Sequence, residues 1–362
     1  MSLSLRPEKI ERVVVRGVNW VGDAVMSVPA LRELRRLFPR ARLTLATRPW
    51  AEGIFAGADF IDDLLINGTG SGKTSAVIRE ARAWRAQRFD LAVLFPNSFA
   101  PALVAALARV PLRAGYATQG RAPLLTHRVG VPEWRGGRHE VFYYLNLVAE
   151  LERELYGTAT VEAREPDAML SVTDARLREA RLLLSENGAR PDRPLVAICP
   201  GSTNSRAKRW PAERFAAVAD RLMERTGAEV FLVGAAEELE ISEEVARHMR
   251  ARPVVLTGKS DLAQTTALLK ASDLLVTNDT GPAHIAAAVG CPVVVIFGPT
   301  NPITTRPFSE SAEVVRRPPD CAPCMLRDCP IDHRCMTAIT PEDVFEQAAR
   351  ALELRQKIEV AR

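Results

Sequence analysis

The chain has little lysine, little histidine and few aromatic rings. Only six of its 48 basic residues are lysine, five residues are histidine, and Phe, Trp and Tyr together make up 6%. It also lacks a strong charge bias: the formal net charge is +4, which permits an anionic partner without calling for nucleic acid. No apolar run reaches the ~18 residues of a membrane span; the nearest, residues 285–298, is interrupted by Cys291-Pro292. Residues 1–11 mix polar and charged side chains and contain no signal-peptide core, so a cytoplasmic protein is expected. Cysteine is sparse, and of the six, Cys199 and Cys291 lie in apolar runs and read as buried thiols. What is present is ordinary globular material. With 362 residues and 47% hydrophobic composition, the chain is long enough for two cores, which excludes disorder and a disulfide-stapled miniprotein. The preference for arginine over lysine suits phosphate and carboxylate, although compositional bias accounts for it equally well.

Short β-branched runs alternate with helical patterns along almost the whole sequence, the signature of parallel α/β sheets. In the first half the runs are Arg12–Arg16, Arg42–Ala46, Leu64–Ile66 and Asp90–Phe95. In the second half they are Leu195–Cys199, Glu229–Val233, Pro253–Leu256, Asp273–Thr277 and Pro292–Phe297. A helical stretch over residues 141–187 separates the two sets, and the Pro-rich segment 190–194 opens the second. The expected organisation is two Rossmann-like domains, residues 1–180 and 181–340, with a last helix over 341–362 packing back on the first. Ligands of such sheets bind at the carboxyl ends of strands, so the loops just after these runs are where chemistry is to be sought.

Four loops stand out. Arg16-Gly-Val-Asn-Trp-Val-Gly-Asp23 follows the first strand and opens a helix. Its glycines permit a tight approach to a ligand, and Asp23 is a candidate base, although an Asp there caps a helix as readily. Cys199–Pro211 gathers Ser202, Thr203, Asn204 and the Lys208-Arg209 pair after a strand, a composition suited to a diphosphate. Thr277-Asn-Asp-Thr-Gly-Pro-Ala-His284 offers Asp279, Thr280 and Gly281 at a helix start, with His284 in the first turn. Phe297-Gly-Pro-Thr-Asn-Pro302 is a fourth strand-end turn.

Two further features compete for attention. Asn67-Gly-Thr-Gly-Ser-Gly-Lys-Thr74 nearly spells a phosphate-binding P-loop but has Asn67 at the first glycine; a flexible basic loop fits it better. Cys321, Cys324, Cys329 and Cys335 are spaced C-x2-C-x4-C-x5-C around His333. That spacing leaves a structural metal site, free thiols and a disulfide all open.

Taken together, Arg16-Gly-x-x-x-x-Gly-Asp23, Leu94-Phe-Pro-Asn-Ser98, Cys199-Pro-Gly through Lys208-Arg-Trp-Pro211, Asn278-Asp-Thr-Gly-Pro-Ala-His284 and Phe297-Gly-Pro-Thr300 resemble the ADP-heptose:lipopolysaccharide heptosyltransferases. The resemblance runs over nearly the whole chain and is nearest to the branch that adds the second heptose. It implies a B-type glycosyltransferase fold with two Rossmann-like domains facing across a cleft. The nucleotide sugar would sit on the C-terminal domain and the acceptor on the N-terminal one. The reaction it implies inverts the anomeric centre and needs no cofactor or catalytic metal. Carried over by position, Asp23 is the general base and Lys208 holds the donor phosphates. Ser202, Thr203, Asn204, Asp279, Thr280, Gly281 and His284 are donor-binding, and the donor acid falls at Ala236 or Glu237. Trp20, Asn97, Ser98, Arg113 and Arg121 are expected to meet the acceptor, an anionic lipid A-core glycolipid at the inner face of the inner membrane. Heptosyltransferase I or another ADP-sugar transferase is the alternative within the class. A P-loop kinase acting through Lys73, or a sugar-nucleotide binder without chemistry, is the alternative outside it.

Overall fold

The computed structural model describes residues 7–66, 73–190 and 192–360. Twelve strands are present among them: β1 (Arg12–Arg16), β2 (Arg42–Thr47), β3 (Asp63–Ile66), β4 (Leu91–Leu94), β5 (Leu112–Tyr116) and β6 (His127–Val129), then β7 (Leu195–Cys199), β8 (Glu229–Leu232), β9 (Val254–Val255), β10 (Leu274–Asn278), β11 (Val293–Ile296) and β12 (Ala312–Val315). Helices α1 (Val21–Met26), α2 (Val28–Leu37), α3 (Glu52–Phe55), α4 (Lys73–Gln87), α5 (Phe99–Leu107) and α6 (Glu140–Tyr156) belong to the first half. Helices α7 (Asp174–Glu186), α8 (Ala212–Thr226), α9 (Leu239–His248), α10 (Leu262–Ala271), α11 (Gly281–Ala288), α12 (Pro302–Thr305), α13 (Arg334–Thr337) and α14 (Pro341–Val360) belong to the second.

The strands form two parallel sheets of six, ordered β3-β2-β1-β4-β5-β6 and β12-β11-β10-β7-β8-β9. Counted from its own first strand, each sheet has the doubly wound order 3-2-1-4-5-6, whose connections diverge between its first and fourth strands. The switch points therefore lie between β1 and β4 and between β7 and β10. Central strands such as β1, β7 and β10 are buried on both faces and read as continuous apolar runs. This is why the sequence exposes them. Strands β5, β6 and β12 escaped notice because Arg113 and Gly115, His127 and Arg128, and Glu313 dilute their apolar character.

The chain divides into compact units between Ala168 and Met169 rather than after residue 180. Helix α7 packs on α10, which places it with the second unit. Within the second unit, α14 packs on α8 and on strands β10 to β12. Its face of Val344, Ala348 and Leu352 completes the core made with Val294, Ile296, Phe215 and Leu222. An amphipathic helix settles where the largest matching apolar surface lies, and that surface is in its own unit. In the first unit, α4 and α5 close one sheet face around Trp84, Phe89, Leu94 and Val104.

Candidate active site

The second unit's switch point is a tightly bonded structure. Behind β7, Asn278 at the end of β10 accepts the Trp210 amide at 3.1 Å and donates to the Pro200 carbonyl at 2.7 Å. Thr277 donates to the Cys199 carbonyl at 3.1 Å. These bonds fix the 200–210 loop against β10, and the Trp210 ring, fully buried, donates to the Ile339 carbonyl at 3.1 Å. On that frame Lys208 Nζ donates to the Asp279 carboxylate at 2.8 Å and to its carbonyl at 3.0 Å. Thr300, from the loop after β11, donates to the same carboxylate at 2.6 Å. Asp279 is buried, Lys208 only half so. The ammonium is thus held at the end of β7 and β10 while it keeps one side toward solvent.

The expected donor residues gather unevenly around this pair. Ser202 is buried and its carbonyl accepts both Arg209 Nε and Nη2; Thr203 and Asn204 are exposed. Thr280 and Gly281 begin α11, and Thr280 donates to the Asn278 carbonyl at 3.3 Å. His284 lies buried in that helix. Glu237, expected as the donor acid, points to solvent, whereas its neighbour Glu238 is buried. The Glu238 carboxylate accepts the Ala235 amide at 3.0 Å and the Thr203 hydroxyl at 3.1 Å. It fills a cradle of two glycines: a Cβ on Gly201 would collide with it, and one on Gly234 would stand 2.9 Å from Oε2. The one-residue difference arises because Ala236–Glu238 is a 3-10 turn, which rotates the third residue inward. Glu238 was not singled out from the sequence, although the glycines after β7 and β8 were a signal for a buried group there, and Thr300 was read only as part of the Phe297–Pro302 turn.

The cysteine segment lies beneath this loop. Ala207 donates its amide to the Arg327 carbonyl at 2.9 Å, the Ala207 carbonyl is 2.6 Å from His333 Nε2, and Met325 donates to the Pro299 carbonyl at 2.9 Å. A Cβ on Gly298 would collide with Met336 Sδ and come within 3.2 Å of Cys335 Sγ. All four thiols are free, and burial together with the neighbouring thiols pushes that of Cys335 up to about 11. Among the described residues no three His, Cys, Asp or Glu side chains form a group able to hold a metal.

The first unit's switch point is built differently. Asp23 occupies the first turn of α1, half-buried, with the positive end of that short helix behind it. Tyr144 of α6 places its hydroxyl 3.5 Å from Asp23 Oδ1. Burial, reinforced by the Asp23 and Glu140 charges, holds the Tyr144 hydroxyl well above the ordinary phenol range, so it stays a proton donor. Trp20, just before α1, is exposed. Asn97 and Ser98 follow β4; Asn97 donates to the Tyr143 hydroxyl at 3.0 Å.

Two expected acceptor cations are not available to a ligand. Arg121 is fully buried. Its Nε donates to the Tyr116 carbonyl at 2.8 Å and its Nη1 to the carbonyls of Pro96 and Ser98, and burial lowers its pKa to about 10. Arg113 is half-buried near the start of β5, with Nε on the Leu124 carbonyl at 2.6 Å and Nη1 on that of Val110. Both guanidiniums hold backbone in place, since a buried cation must satisfy its donors on whatever carbonyls surround it. The near-P-loop at 67–72 lies outside the described residues.

Two parallel doubly wound sheets, each with polar residues at its switch point, match the B-type glycosyltransferase fold. The family model for glycosyltransferase family 9 (heptosyltransferase) matches residues 77–334, and the chain belongs to that family. It is 28% identical over 351 residues to lipopolysaccharide heptosyltransferase 2 of Salmonella typhimurium, covering 93% of this chain and 97% of that one. Among solved structures it is similar to the ADP-heptose LPS heptosyltransferase II of E. coli, with a TM-score of 0.80 and 26% identity over 95% of this chain and 99% of that one. The glycosyl transferase family 9 protein of Veillonella parvula shares the fold, with a TM-score of 0.82 at 24% identity over 97% and 98%.

Proposed function

We propose that this chain transfers L-glycero-D-manno-heptose from ADP-heptose to the heptosyl-Kdo-lipid A inner core, as heptosyltransferase II does. The observation that carries the reading is the Lys208–Asp279–Thr300 constellation at the second switch point, in a chain similar end to end to enzymes of that name. In this reading the second unit takes the donor. Lys208 and the loop amides meet the diphosphate, and Glu238, rather than Glu237, supplies the buried acid near the nucleoside. The first unit takes the acceptor. Asp23 accepts the proton of the attacking hydroxyl as its oxygen bonds to the anomeric carbon from the face opposite the departing group. The bond from that carbon to the β-phosphate oxygen breaks, ADP leaves, and the configuration inverts. Charge grows on the leaving oxygen, where a preformed cation is most effective; proton removal by one positioned carboxylate is worth about 10²–10⁴ in rate.

The acceptor is an anionic glycolipid, so the enzyme works peripherally at a membrane surface from the cytoplasmic side. No helix among the described residues is long and apolar enough to cross a membrane. The test is to offer ADP-heptose with heptose-free and with mono-heptosylated Kdo-lipid A and to weigh the products. A heptose added only to the mono-heptosylated acceptor supports the reading. Addition only to the heptose-free acceptor makes the chain the first transferase of the series, and hydrolysis of ADP-heptose without transfer overturns it.

A further inference from the structure

The outward face of the first unit's α4–α5 layer is divided by chemistry. Helix α4 buries Ala81 and Trp84 against the sheet and turns Arg79, Arg82 and Arg85 to solvent. Arg88 and Arg109, just past the ends of α4 and α5, are exposed as well. Helix α5 lies beside α4 and is unusual in the opposite sense, since Phe99–Leu107 contains no polar side chain. It buries Ala102, Val104 and Ala105 and leaves Phe99, Leu103 and Leu107 on its outer side, Phe99 and Leu107 being 45% and 48% exposed. Those three residues are spaced i, i+4, i+8, which makes them one stripe along the helix.

Among the described residues of helices α4 and α5 no acid is turned outward. Residues 64–132 contain only Glu80 and Asp90. Glu80 turns inward to Arg16 Nε at 3.1 Å, and Asp90 accepts the amides of Glu11 and Arg12 at 2.9 Å each. Among the described residues Arg79, Arg82 and Arg85 form no ion pair. A row of unpaired arginines beside an apolar stripe is complementary to one kind of partner: a surface with anionic headgroups outside and hydrocarbon within. A protein partner of matching acidic and apolar pattern would be a different occupant, and so would a second copy of this chain. A second copy would bring the same unneutralised arginine rows close together, so the charge argues for lipid.

We infer that the α4–α5 face docks the enzyme on an anionic lipid bilayer, with Phe99 and Leu107 entering the headgroup boundary and Arg79, Arg82 and Arg85 on the headgroups. The inference rests on the proposed glycolipid acceptor and adds where that acceptor is met. Helix α5 begins one residue after Ser98, so the stripe starts beside the loop expected to receive the acceptor sugar. Docking by this face brings a lipid-anchored sugar to the carboxyl end of β4 without extracting its chains from the bilayer.

The experiment is flotation of the full chain with vesicles of phosphatidylethanolamine and phosphatidylglycerol, and with phosphatidylcholine alone. The wild type should float with the anionic vesicles only, and less as salt is added. The triple variant R79Q/R82Q/R85Q should lose roughly a hundredfold in partitioning, at about fivefold per arginine. F99S/L107S should lose binding that salt does not restore. Both variants should transfer heptose at wild-type rate to a deacylated, water-soluble acceptor and more slowly to acceptor in vesicles. The inference is overturned if the wild type ignores anionic vesicles or if the variants float as it does. It is also overturned if F99S/L107S dissociates a dimer while leaving flotation unchanged. Vesicle binding by a chain that transfers nothing to the soluble acceptor would leave the surface standing and sink the functional reading instead.

Discussion

The two switch points show opposite designs on the same topology. In the second unit Lys208 and Thr300 both bond to Asp279, while Asn278 bonds to the Trp210 amide and the Pro200 carbonyl and Glu238 to the Ala235 amide and the Thr203 hydroxyl, so the cation and the acid stand in fixed places. In the first unit the fixed bonds lie one layer back. Arg121 and Tyr143 hold the 96–98 loop, while Trp20 and Ser98 face solvent. A diphosphate is the same in every donor and rewards a rigid site, because preorganised donors need no rearrangement as charge develops. An acceptor sugar on a lipid must be admitted and released as a large, variable body, which favours an open rim. In the proposed assignment of substrates, preorganisation follows the constancy of the ligand.

The comparison can be broken most sharply at Asp23. Asp23→Asn should cut transfer by about 10²–10⁴ and leave ADP affinity unchanged by calorimetry; near wild-type transfer would remove the base from the first unit. Lys208→Ala should act on the other side of the comparison. Turnover should fall by about 10²–10³ with weaker ADP binding, and Lys208→Arg should not restore it, since a planar fork does not replace a point charge on Asp279. A change confined to acceptor KM would mean the two units had been assigned the wrong substrates.

A smaller effect separates neighbouring acids. Glu238→Gln should raise the donor KM by roughly tenfold or more, in keeping with ~1–3 kcal/mol for a disturbed buried bond, whereas Glu237→Gln should leave it unchanged. Gly201→Ala should mimic the Glu238 variant, because the added methyl would occupy the place of the carboxylate.

Stability gives a further contrast. In the first unit Glu152 is buried; although burial alone would raise its pKa, bonds from Thr160, Val161 and Arg36 bring it down from 4.5 to about 2. Because the folded pKa lies below the unfolded one, this carboxylate stabilises the fold above about 4.5 and loses that contribution as pH falls toward about 2. The contribution is on the order of 3 kcal/mol at neutral pH. Thermal unfolding followed across that acid range should show a drop that Glu152→Gln abolishes, the variant being less stable at neutral pH. The smallest effect is expected at the cysteines. Cys335→Ser should lower the melting temperature by a few degrees, because its thiol is buried against Gly298. The exposed Cys321→Ser should not, and turnover should survive both. Loss of turnover at unchanged stability would bring this segment into the chemistry.

Much of this was legible beforehand, for identifiable reasons. Doubly buried strands such as β1, β7, β10 and β11 are apolar throughout and announce themselves, and their alternation with helices makes a parallel sheet the only economical reading. The loops after them are polar and glycine-containing, so Asp23, Lys208 and Asp279 could be picked out singly. Charge misled where burial decided. Arg113 and Arg121 looked like open cations, but each is closed over by carbonyls. Glu237 and Glu238 are indistinguishable in a sequence; one 3-10 turn buries one and exposes the other.

The sequence by itself determined the class of fold and the order of the functional loops, since both follow from local hydrophobic patterning and strand-end composition, which short range suffices to specify. Tertiary structure alone decided which side chains are partners. The ion pair of Lys208 with Asp279 joins residues 71 positions apart, and Thr300 reaches the same carboxylate from 21 further on. It also decided where α14 rests, for an amphipathic helix carries the instruction to bury one face but not the address of the surface that will cover it.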